Sequence, residues 1–428
     1  MNFLFEDLEN RLNFTNCGDI NTSGISRFGI SPLLNATHLF YSFQRLPMEL
    51  NYYDMNNDVD RYIISTCVNH SPDDWTGYNP RVKSLFSYLN EKYLADLRKG
   101  HALLLLDQSF EGYQTKWLWE WFHEECNEWG IDPKYVVYVT GNMVADDVYK
   151  NWADENQITS RLKIIPYAHF ELDMAMTCYH RNTNGEKTPT FQDHIDFKTK
   201  HTDRVKTFTC LNKRLRNQRI WFFKYMHDSN IIDKGLVSMN SFDCYPRLFE
   251  GDEMHEDECE KLNQDLPLLV YGLKNDELDD NYYINRFNNQ QSLDTFFTVV
   301  SEAHCGDSDQ TMFLSEKTFK VIACRHPFII MGNKDSMKKL REIGYKTFEG
   351  FIDESYDSLP THERMKAIIE SIKKVDSVED KISWFKGMEE IIEHNYTTFQ
   401  NKLKSVPDSH KILRDYYHEM LYGSKKIL

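Results

Sequence analysis

The sequence predicts an α/β protein of two domains, each built around a mostly parallel sheet, with a helical tail at the C-terminus. The 428 residues are too many for one ordinary hydrophobic core and suggest two domains. Short continuous apolar runs alternate with stretches of helical periodicity, which is the pattern of a parallel sheet covered by helices. This pattern restarts after a polar segment, so the same architecture is predicted twice.

The N-terminal half contains the first set of predicted strands and helices. Apolar runs predict strands at Arg61–Thr66, His101–Leu106, Tyr135–Thr140 and Leu162–Ile165. Between the second and third strands, residues 116–129 have helical periodicity and carry three alternating tryptophans, of which Trp119 is predicted to be exposed. Strands and helices that alternate at this spacing form a sheet with right-handed crossovers.

The C-terminal half repeats the alternation after a polar stretch at 179–202, which is the best linker candidate. Strands are predicted at Thr207–Leu211, Leu236–Met239, Phe296–Ser301 and Phe328–Met331, and helices at Asn217–Asp228 and Glu316–Cys324. The acidic stretch 250–260 is predicted to be a solvated loop, and the tail from His362 to be helical. We therefore expect two facing Rossmann-like domains, 1–200 and 201–428, with ligands bound beyond the carboxyl ends of the strands.

Composition and charge make some classes of protein less favoured than others. A net charge of −16, from 66 acidic and 50 basic residues, disfavours general nucleic-acid binding without excluding a local basic cleft. Nine scattered cysteines and the lack of an apolar run near the ~20 residues of a membrane helix predict a soluble cytoplasmic protein. Abundant Asn, Lys, Ile and Tyr are typical of AT-rich phage genomes, and for a viral protein the compartment would be the host cytoplasm.

The segment from Phe296 to Gly332 contains the most chemistry. Ser315 is a plausible N-cap of the helix that follows, and free amides at a helix start attract anions. Lys317 adds a positive charge in the first turn, where a bound phosphate explains it better than the helix dipole does. Glu316 could accept hydrogen bonds from the ribose hydroxyls of a nucleotide. An ordinary capped surface helix explains the same residues about equally well.

This segment resembles the donor-binding motif of the α-1,3-fucosyltransferases and related GT-B glycosyltransferases. In those enzymes a strand ending in Glu precedes an aromatic-x-Ser/Thr-Glu-Lys helix start and a Pro-led strand that ends in Gly. The matching positions are Glu302, Phe313, Ser315, Glu316, Lys317, Pro327 and Gly332. The resemblance implies a nucleotide-diphosphate sugar as donor substrate, with a GDP-sugar favoured, and no other cofactor.

A second stretch, Lys206–Phe223, is similar to the strand, Asn-containing loop and Arg-x-x-Phe-Phe helix start of the same family. The resemblance places Arg219 at the donor pyrophosphate, where a planar guanidinium offers two parallel hydrogen-bond donors. The predicted donor-binding residues are Asn212, Arg216, Arg219, Ser315, Glu316, Lys317 and Thr318. The N-terminal half gives no such match and is expected to bind the acceptor.

An inverting transfer requires a carboxylate that takes the proton of the attacking hydroxyl. Glu111 is the first candidate, because it lies in the loop after the clearest N-terminal strand, and Asp107 is the second. Capping of the following helix is a somewhat better explanation of both residues. Glu302 is a third candidate, although it could instead hold hydroxyls of the donor sugar.

No metal is implied by the sequence. Asp307-Ser308-Asp309 has the Asp-x-Asp form of metal-dependent glycosyltransferases, but a solvated loop is the favoured interpretation. The expected partners are a nucleotide sugar and a glycan or other small hydroxyl acceptor. A glycosyltransferase that acts on modified DNA bases and a non-catalytic binding module of the same shape remain as alternatives.

Overall fold

The computed structural model describes residues 2–4, 51–53, 61–67, 85–86, 89–109, 111–112, 117–212, 214–243, 246–248, 252–272, 287, 289–404 and 408–423. The chain forms two compact units. Unit 1 consists of Met1–Leu172, Gln310–Phe313 and Lys402–Leu428, and unit 2 of Asp173–Asp309 and Leu314–Asn401. The predicted boundary at residue 200 lies within unit 2, and the last helix of the tail belongs to unit 1.

Unit 1 is built on a six-stranded parallel sheet with the order β2-β1-β3-β4-β5-β6. Its strands are β1 (Asn2–Leu4), β2 (Asn51–Tyr53), β3 (Tyr62–Cys67), β4 (Ala102–Gln108), β5 (Val136–Thr140) and β6 (Lys163–Pro166). The apolar run of β4 is buried along its whole length because both faces of the sheet are covered. Four of the predicted strands are thus present within two residues of their predicted ends.

Side chains of β4 alternate between two hydrophobic cores, as the period of a strand requires. Leu104 and Leu106 belong to the core that contains residues of α1 (Glu91–Arg98), α2 (Trp117–Glu128) and α3 (Ala145–Glu155). Leu103 and Leu105 belong to the core that contains residues of the last helix. The prediction for Trp119 was wrong: it is 1% exposed and its ring lies 6.1 Å from that of Tyr138.

Unit 2 is built on a four-stranded parallel sheet with the order β10-β9-β7-β8. Its strands are β7 (Lys206–Asn212), β8 (Gly235–Met239), β9 (Thr295–Ser301) and β10 (Phe328–Met331). Buried aromatic and β-branched side chains such as Phe208, Phe297 and Ile329 fill these strands. The α/β fold class with two parallel sheets is therefore confirmed, as is the helical C-terminal region.

The remaining helices, in chain order, are α4 (His169–Thr183), α5 (Phe191–Lys200), α6 (Asn217–Asp228), α7 (Glu256–Asn263), α8 (Asn289–Leu293), α9 (Glu316–Ala323), α10 (Ser336–Glu342), α11 (Thr361–Asp376), α12 (Lys381–Lys386), α13 (Glu389–Asn401) and α14 (Asp408–Tyr422). Within the described ranges, no helix has the length and apolarity needed to cross a bilayer.

Two loop predictions were wrong. The polar stretch 179–202 contains the end of α4 and all of α5, because Thr190 and Asp193 form a capping box and Phe191 and Ile195 bury one face of the helix. The acidic stretch 250–260 contains the start of α7, whose first turn carries three acidic residues that suit the helix dipole. In both cases local polarity concealed a helix with a narrow buried face.

Candidate functional site

The predicted donor-binding residues lie at one edge of the unit 2 sheet. Strands β7, β9 and β10 are parallel, and they end at Asn212, Ser301 and Met331. The carboxyl ends of parallel strands meet at the same edge, which we call the carboxyl edge. Helices α6 and α9 both start from this edge, so the two sequence stretches that share the fucosyltransferase resemblance are brought together there.

The start of α6 is hydrogen-bonded to the chain that leaves β9. Arg216 donates from Nη1 to the carbonyl of Ala303 at 2.8 Å, and Gln218 donates to the same oxygen at 3.1 Å. Arg219 is buried and donates from Nη2 to the carbonyl of Ser301 at 3.0 Å. The acceptors in these bonds are neutral main-chain carbonyls, so the bonds fix the guanidinium groups without cancelling their charge.

The carboxylate of Glu302 is fully buried and accepts four hydrogen bonds. Oε1 accepts from the amide of Ser315 at 3.1 Å and the hydroxyl of Thr318 at 2.6 Å. Oε2 accepts from the hydroxyl of Ser315 at 2.5 Å and the amide of Ala303 at 3.1 Å. These contacts hold the start of α9 against the end of β9, which favours a positioning role for Glu302 over proton transfer.

Glu316 and Lys317 form an ion pair in the first turn of α9. Lys317 Nζ lies 2.6 Å from Oε1 of Glu316 and 3.3 Å from the hydroxyl of Ser315. Burial by itself raises the pKa of Glu316, but the charges of Lys317 and Lys320 outweigh it and hold that pKa below its ordinary value. Ser315 caps the helix as predicted, since its hydroxyl accepts from the amide of Lys317.

The two helix starts therefore differ in charge. At α9, the carboxylate of Glu302 already accepts from the amide of Ser315. Lys317, which a phosphate would use, is paired with Glu316. At α6, Arg216 lies within ion-pair distance of no carboxylate of the described chain, and Arg214 beside it is exposed. The start of α6 is therefore the better site for a doubly charged ligand.

The first two catalytic candidates lie in unit 1, but only Glu111 is in the loop after β4, because the strand continues to Gln108 and includes Asp107. Asp107 is fully buried, and its Oδ1 accepts from the amide of Ser109 at 2.9 Å. Glu111 is partly exposed, and its backbone is fixed by the carbonyl of Gln108 at 3.1 Å and the amide of Gly141 at 2.9 Å. A partly exposed carboxylate on a fixed backbone suits proton transfer better than a buried one does, which favours Glu111.

Asp307 is not a simple solvated loop residue. Its carboxylate accepts from the amide and hydroxyl of Thr361 at 3.0 and 2.7 Å, so it caps α11, and it pairs with Arg364 at 3.3 Å. Within the described ranges, no group of three or more His, Cys, Asp or Glu side chains is arranged to hold a metal ion. His326 is also remote from the predicted donor site, because it precedes β10 and lies at the opposite edge of the sheet from Ser315.

Several residues of the carboxyl edge were missed by the sequence analysis. Gln218 shares the carbonyl of Ala303 with Arg216, and its place two residues after Arg216 in the matched stretch is the one signal that points to it. Ser301 and Asn333 end or follow two of the strands and have buried polar atoms that are described below. In unit 1, Asn142 accepts from the amide of Met312 at 2.9 Å and so holds the segment Gln310–Phe313 to the end of β5.

Comparison of the sequence with models of protein families gives no match, and comparison with characterised proteins gives none. Among solved structures, α,α-trehalose 6-phosphate synthase from Burkholderia multivorans is 9% identical over 84% of this chain and 70% of that chain, with a TM-score of 0.42. The N-terminal domain of Candida albicans trehalose-6-phosphate phosphatase is 8% identical over 91% and 94%, with a TM-score of 0.41. An α1,3-fucosyltransferase with GDP-fucose is 10% identical over 100% and 91%, with a TM-score of 0.30. At these scores the likeness assigns neither an activity nor a ligand.

Proposed function

We propose that this chain is a glycosyltransferase that binds a nucleotide-diphosphate sugar at the carboxyl edge of the unit 2 sheet. One observation supports this most strongly. The two stretches that resemble the fucosyltransferase donor motif are far apart in sequence, yet Arg216 and Arg219 join them through the carbonyls of residues 303 and 301. Within the second stretch, Glu302 holds the start of α9 through the hydroxyls of Ser315 and Thr318. These hydrogen bonds hold the starts of α6 and α9 together at the carboxyl edge, where one ligand can contact both.

The diphosphate is assigned to the start of α6. Arg216 is only partly buried and uses one nitrogen on the carbonyl of Ala303, so other guanidinium hydrogens are available to phosphate oxygens. Arg219 adds a second positive charge from the next turn. Together with the amides at the helix start, these groups would stabilise the charge that develops on a departing nucleoside diphosphate, with no metal required.

The nucleoside is assigned to the start of α9. The carboxylate of Glu316 is held ionised by Lys317 and Lys320, and an ionised carboxylate accepts hydrogen bonds from two neighbouring hydroxyls of a ribose. The motif resemblance favours a GDP-sugar, with fucose as the first sugar to test. In this assignment Asn212 and Thr318 line the donor site beside these groups.

The acceptor is a hydroxyl group of a glycan or another small molecule. The hydroxyl oxygen attacks the anomeric carbon of the donor sugar, the bond to the diphosphate breaks, and the hydroxyl proton passes to the carboxylate of Glu111. Direct attack of this kind inverts the configuration of the anomeric carbon. If this role is correct, Glu111→Gln retains donor affinity and loses transfer.

The experiment that tests the function is calorimetric titration with GDP, UDP, ADP, CMP and their common sugar conjugates. We expect one nucleoside diphosphate to bind, and Arg216→Ala to weaken its binding about 10- to 100-fold, because one charge-assisted contact contributes about 1.5–3 kcal/mol. Arg204→Ala is the control, since Arg204 pairs with Asp294 at the opposite edge of the sheet. Absence of binding by every nucleotide would favour a non-catalytic module.

A further inference from the structure

Three buried side-chain oxygens at the carboxyl edge have no hydrogen-bond partner among the described residues. They are Oδ1 of Asn212, Oγ of Ser301 and Oδ1 of Asn333. The residues are 1%, 4% and 4% exposed, so these atoms lie away from bulk solvent. Buried polar atoms of folded proteins are nearly always hydrogen-bonded, so three exceptions at one edge require an explanation.

Asn212 and Ser301 end neighbouring strands at the same level, and Asn333 lies just beyond the end of the next strand, β10. Ser301 is in register with Met331 of β10, and Asn333 follows two residues later. Thr209 of β7 is in register with Thr298 of β9. Asn212 and Ser301 each lie three residues further along these parallel strands, so they occupy matching positions. Because neighbouring strands are about 4.8 Å apart and side chains repeat every two residues, Asn212 and Ser301 lie side by side on one face.

Local rearrangement does not remove the deficit at Asn212. Its Nδ2 lies 3.4 Å from Sγ of Cys210, and the other end of the amide has no partner. If the amide is turned by 180°, the oxygen gains the thiol and the nitrogen loses it, so one end is unpaired in either orientation. Leu in place of Asn would avoid the deficit, and the polar residue therefore has a cost to stability in the free protein.

We propose that Asn212, Ser301 and Asn333 form a sugar-binding notch, which receives hydroxyl groups of the ligand that occupies the proposed donor site. Two of the unpaired atoms are amide oxygens, which only accept, and phosphate oxygens cannot donate to them. Sugar hydroxyls both donate and accept, so they satisfy the amide oxygens and the Ser301 hydroxyl together. The notch rests on the proposed function, and the hydroxyls belong either to the ribose or to the sugar that is transferred.

The test compares Ser301→Ala with Ser292→Ala. Both serines are buried in unit 2, but the hydroxyl of Ser292 donates to the carbonyl of Asn289 at 2.7 Å, at the opposite edge of the sheet. We expect Ser301→Ala to leave the Tm of the free protein unchanged or raised, and Ser292→Ala to lower it. The affinity for GDP-fucose, measured by calorimetry, is expected to fall roughly tenfold in Ser301→Ala only.

Asn333→Leu is a second variant, because Leu is similar in volume to Asn. As for Ser301→Ala, we expect an unchanged or raised Tm and a roughly tenfold loss of affinity for GDP-fucose. GDP and GDP-fucose identify the source of the hydroxyls: an equal loss with both assigns the notch to the ribose, and a loss confined to GDP-fucose assigns it to the transferred sugar. UDP and UDP-glucose are used in the same way if wild type prefers uridine.

Two results would overturn the notch while the proposed function stands. One is a fall in Tm in Ser301→Ala equal to that in Ser292→Ala, which would mean that the hydroxyl is already bonded. The other is wild-type nucleotide affinity in both Ser301→Ala and Asn333→Leu. If wild type binds no nucleotide, the proposed function fails, and the sugar assignment of the notch fails with it.

Discussion

The two edges of the unit 2 sheet both bury polar groups, but they do so in different ways. Before β9 and β10, at what we call the amino edge, Lys198 and His194 bond each other and the nearby main chain. His326 bonds the hydroxyl of Thr298 and the carbonyl of Thr295. At the carboxyl edge, Asn212, Ser301 and Asn333 each bury an atom that has no partner among the described residues. The same sheet therefore contains one polar cluster whose members all have partners and one with three oxygens that have none among the described residues.

The amino-edge cluster can be assigned proton by proton. His194 Nε2 lies 2.8 Å from the carbonyl of Cys324, and since a carbonyl only accepts, the ring donates there. Its Nδ1 therefore accepts from Lys198 Nζ at 3.2 Å. Lys198 also donates to the carbonyls of Ser292 and Leu293, at 3.0 and 3.1 Å, so three acceptors match the three hydrogens of an ammonium group.

This difference distinguishes buried polar groups that stabilise the fold from those that suggest a binding site. Burial lowers the pKa of Lys198 well below its ordinary value, against the opposing charge of Asp294. A shifted pKa of this kind would often suggest an active site. Here every hydrogen of the ammonium has a partner, which indicates a structural role. The unpaired atoms of the carboxyl edge, with no charge of their own, are the stronger sign of a ligand.

The largest effect that we expect is the loss of stability in Lys198→Met. The substitution leaves two carbonyls and His194 Nδ1 without their donor in a fully buried site, and we expect it to cost about 3–5 kcal/mol. Urea unfolding followed by circular dichroism measures the change. Lys200→Met, on an exposed position of the same helix, should change the free energy of unfolding by less than about 0.5 kcal/mol. Similar stability in the two variants would contradict the assigned hydrogen bonds.

Glu302→Gln examines a carboxylate of the carboxyl edge whose two oxygens each accept two hydrogen bonds. An amide places its NH₂ against two of the donors that the carboxylate now accepts from, and we expect a loss of about 2–3 kcal/mol in the free energy of unfolding. The exposed residue Glu379, substituted by Gln, is the control. A variant with wild-type stability and donor affinity but no turnover would instead identify Glu302 as the proton acceptor.

Acid pH should destabilise the protein through the buried histidines of the amino edge. Burial, with a further contribution from the charge of Lys198, lowers the pKa of His194 to about 3, and burial also lowers that of His326 well below 6.5. Both rings are neutral in the folded state, so the unfolded chain binds more protons below pH 6.5 and stability falls as the pH decreases. His194 alone should cost about 2 kcal/mol by pH 5.

Urea unfolding from pH 7.5 to pH 5 measures this dependence. His194→Asn should flatten the pH profile, whereas His255→Asn, at an exposed position, should leave its slope unchanged. An equal slope in wild type and His194→Asn would mean that His194 is protonated in the folded protein, and a protonated ring could not accept the hydrogen bond from Lys198 at Nδ1.

Strands and helices were predictable because their buried apolar residues recur in the sequence at the period of the element. The fully apolar run of β4 and the periodicity of α6 gave strand and helix within two residues of their observed ends. Trp119 was assigned to the wrong face because its helix packs on two neighbouring sides, against Tyr138 and Tyr149. Helix α5 was missed because a few buried side chains within a polar stretch give a weak periodic signal.

The candidate site was predictable only in part. Motif matching found Arg219, Glu302 and Ser315, but it did not reveal that the carboxylate of Glu302 takes the amide and hydroxyls at the start of α9. That arrangement depends on the close approach of strand ends that are distant in sequence. Ser301 and Asn333 had no local signal at all, because a missing hydrogen bond is a property of the tertiary structure.

The smallest effect that we expect is that of Lys317→Ala on nucleoside diphosphate binding. Lys317 is the obvious phosphate ligand in the sequence, but it is paired with Glu316 at 2.6 Å and stands beside the carboxylate of Glu302, so the field at the start of α9 is close to neutral. Calorimetry should show a two- to threefold loss of affinity, or about 0.5 kcal/mol, compared with at least ~10-fold for Arg216→Ala. If Lys317→Ala proves the more damaging of the two, the diphosphate binds at α9, and the ion pair with Glu316 must open when the ligand arrives.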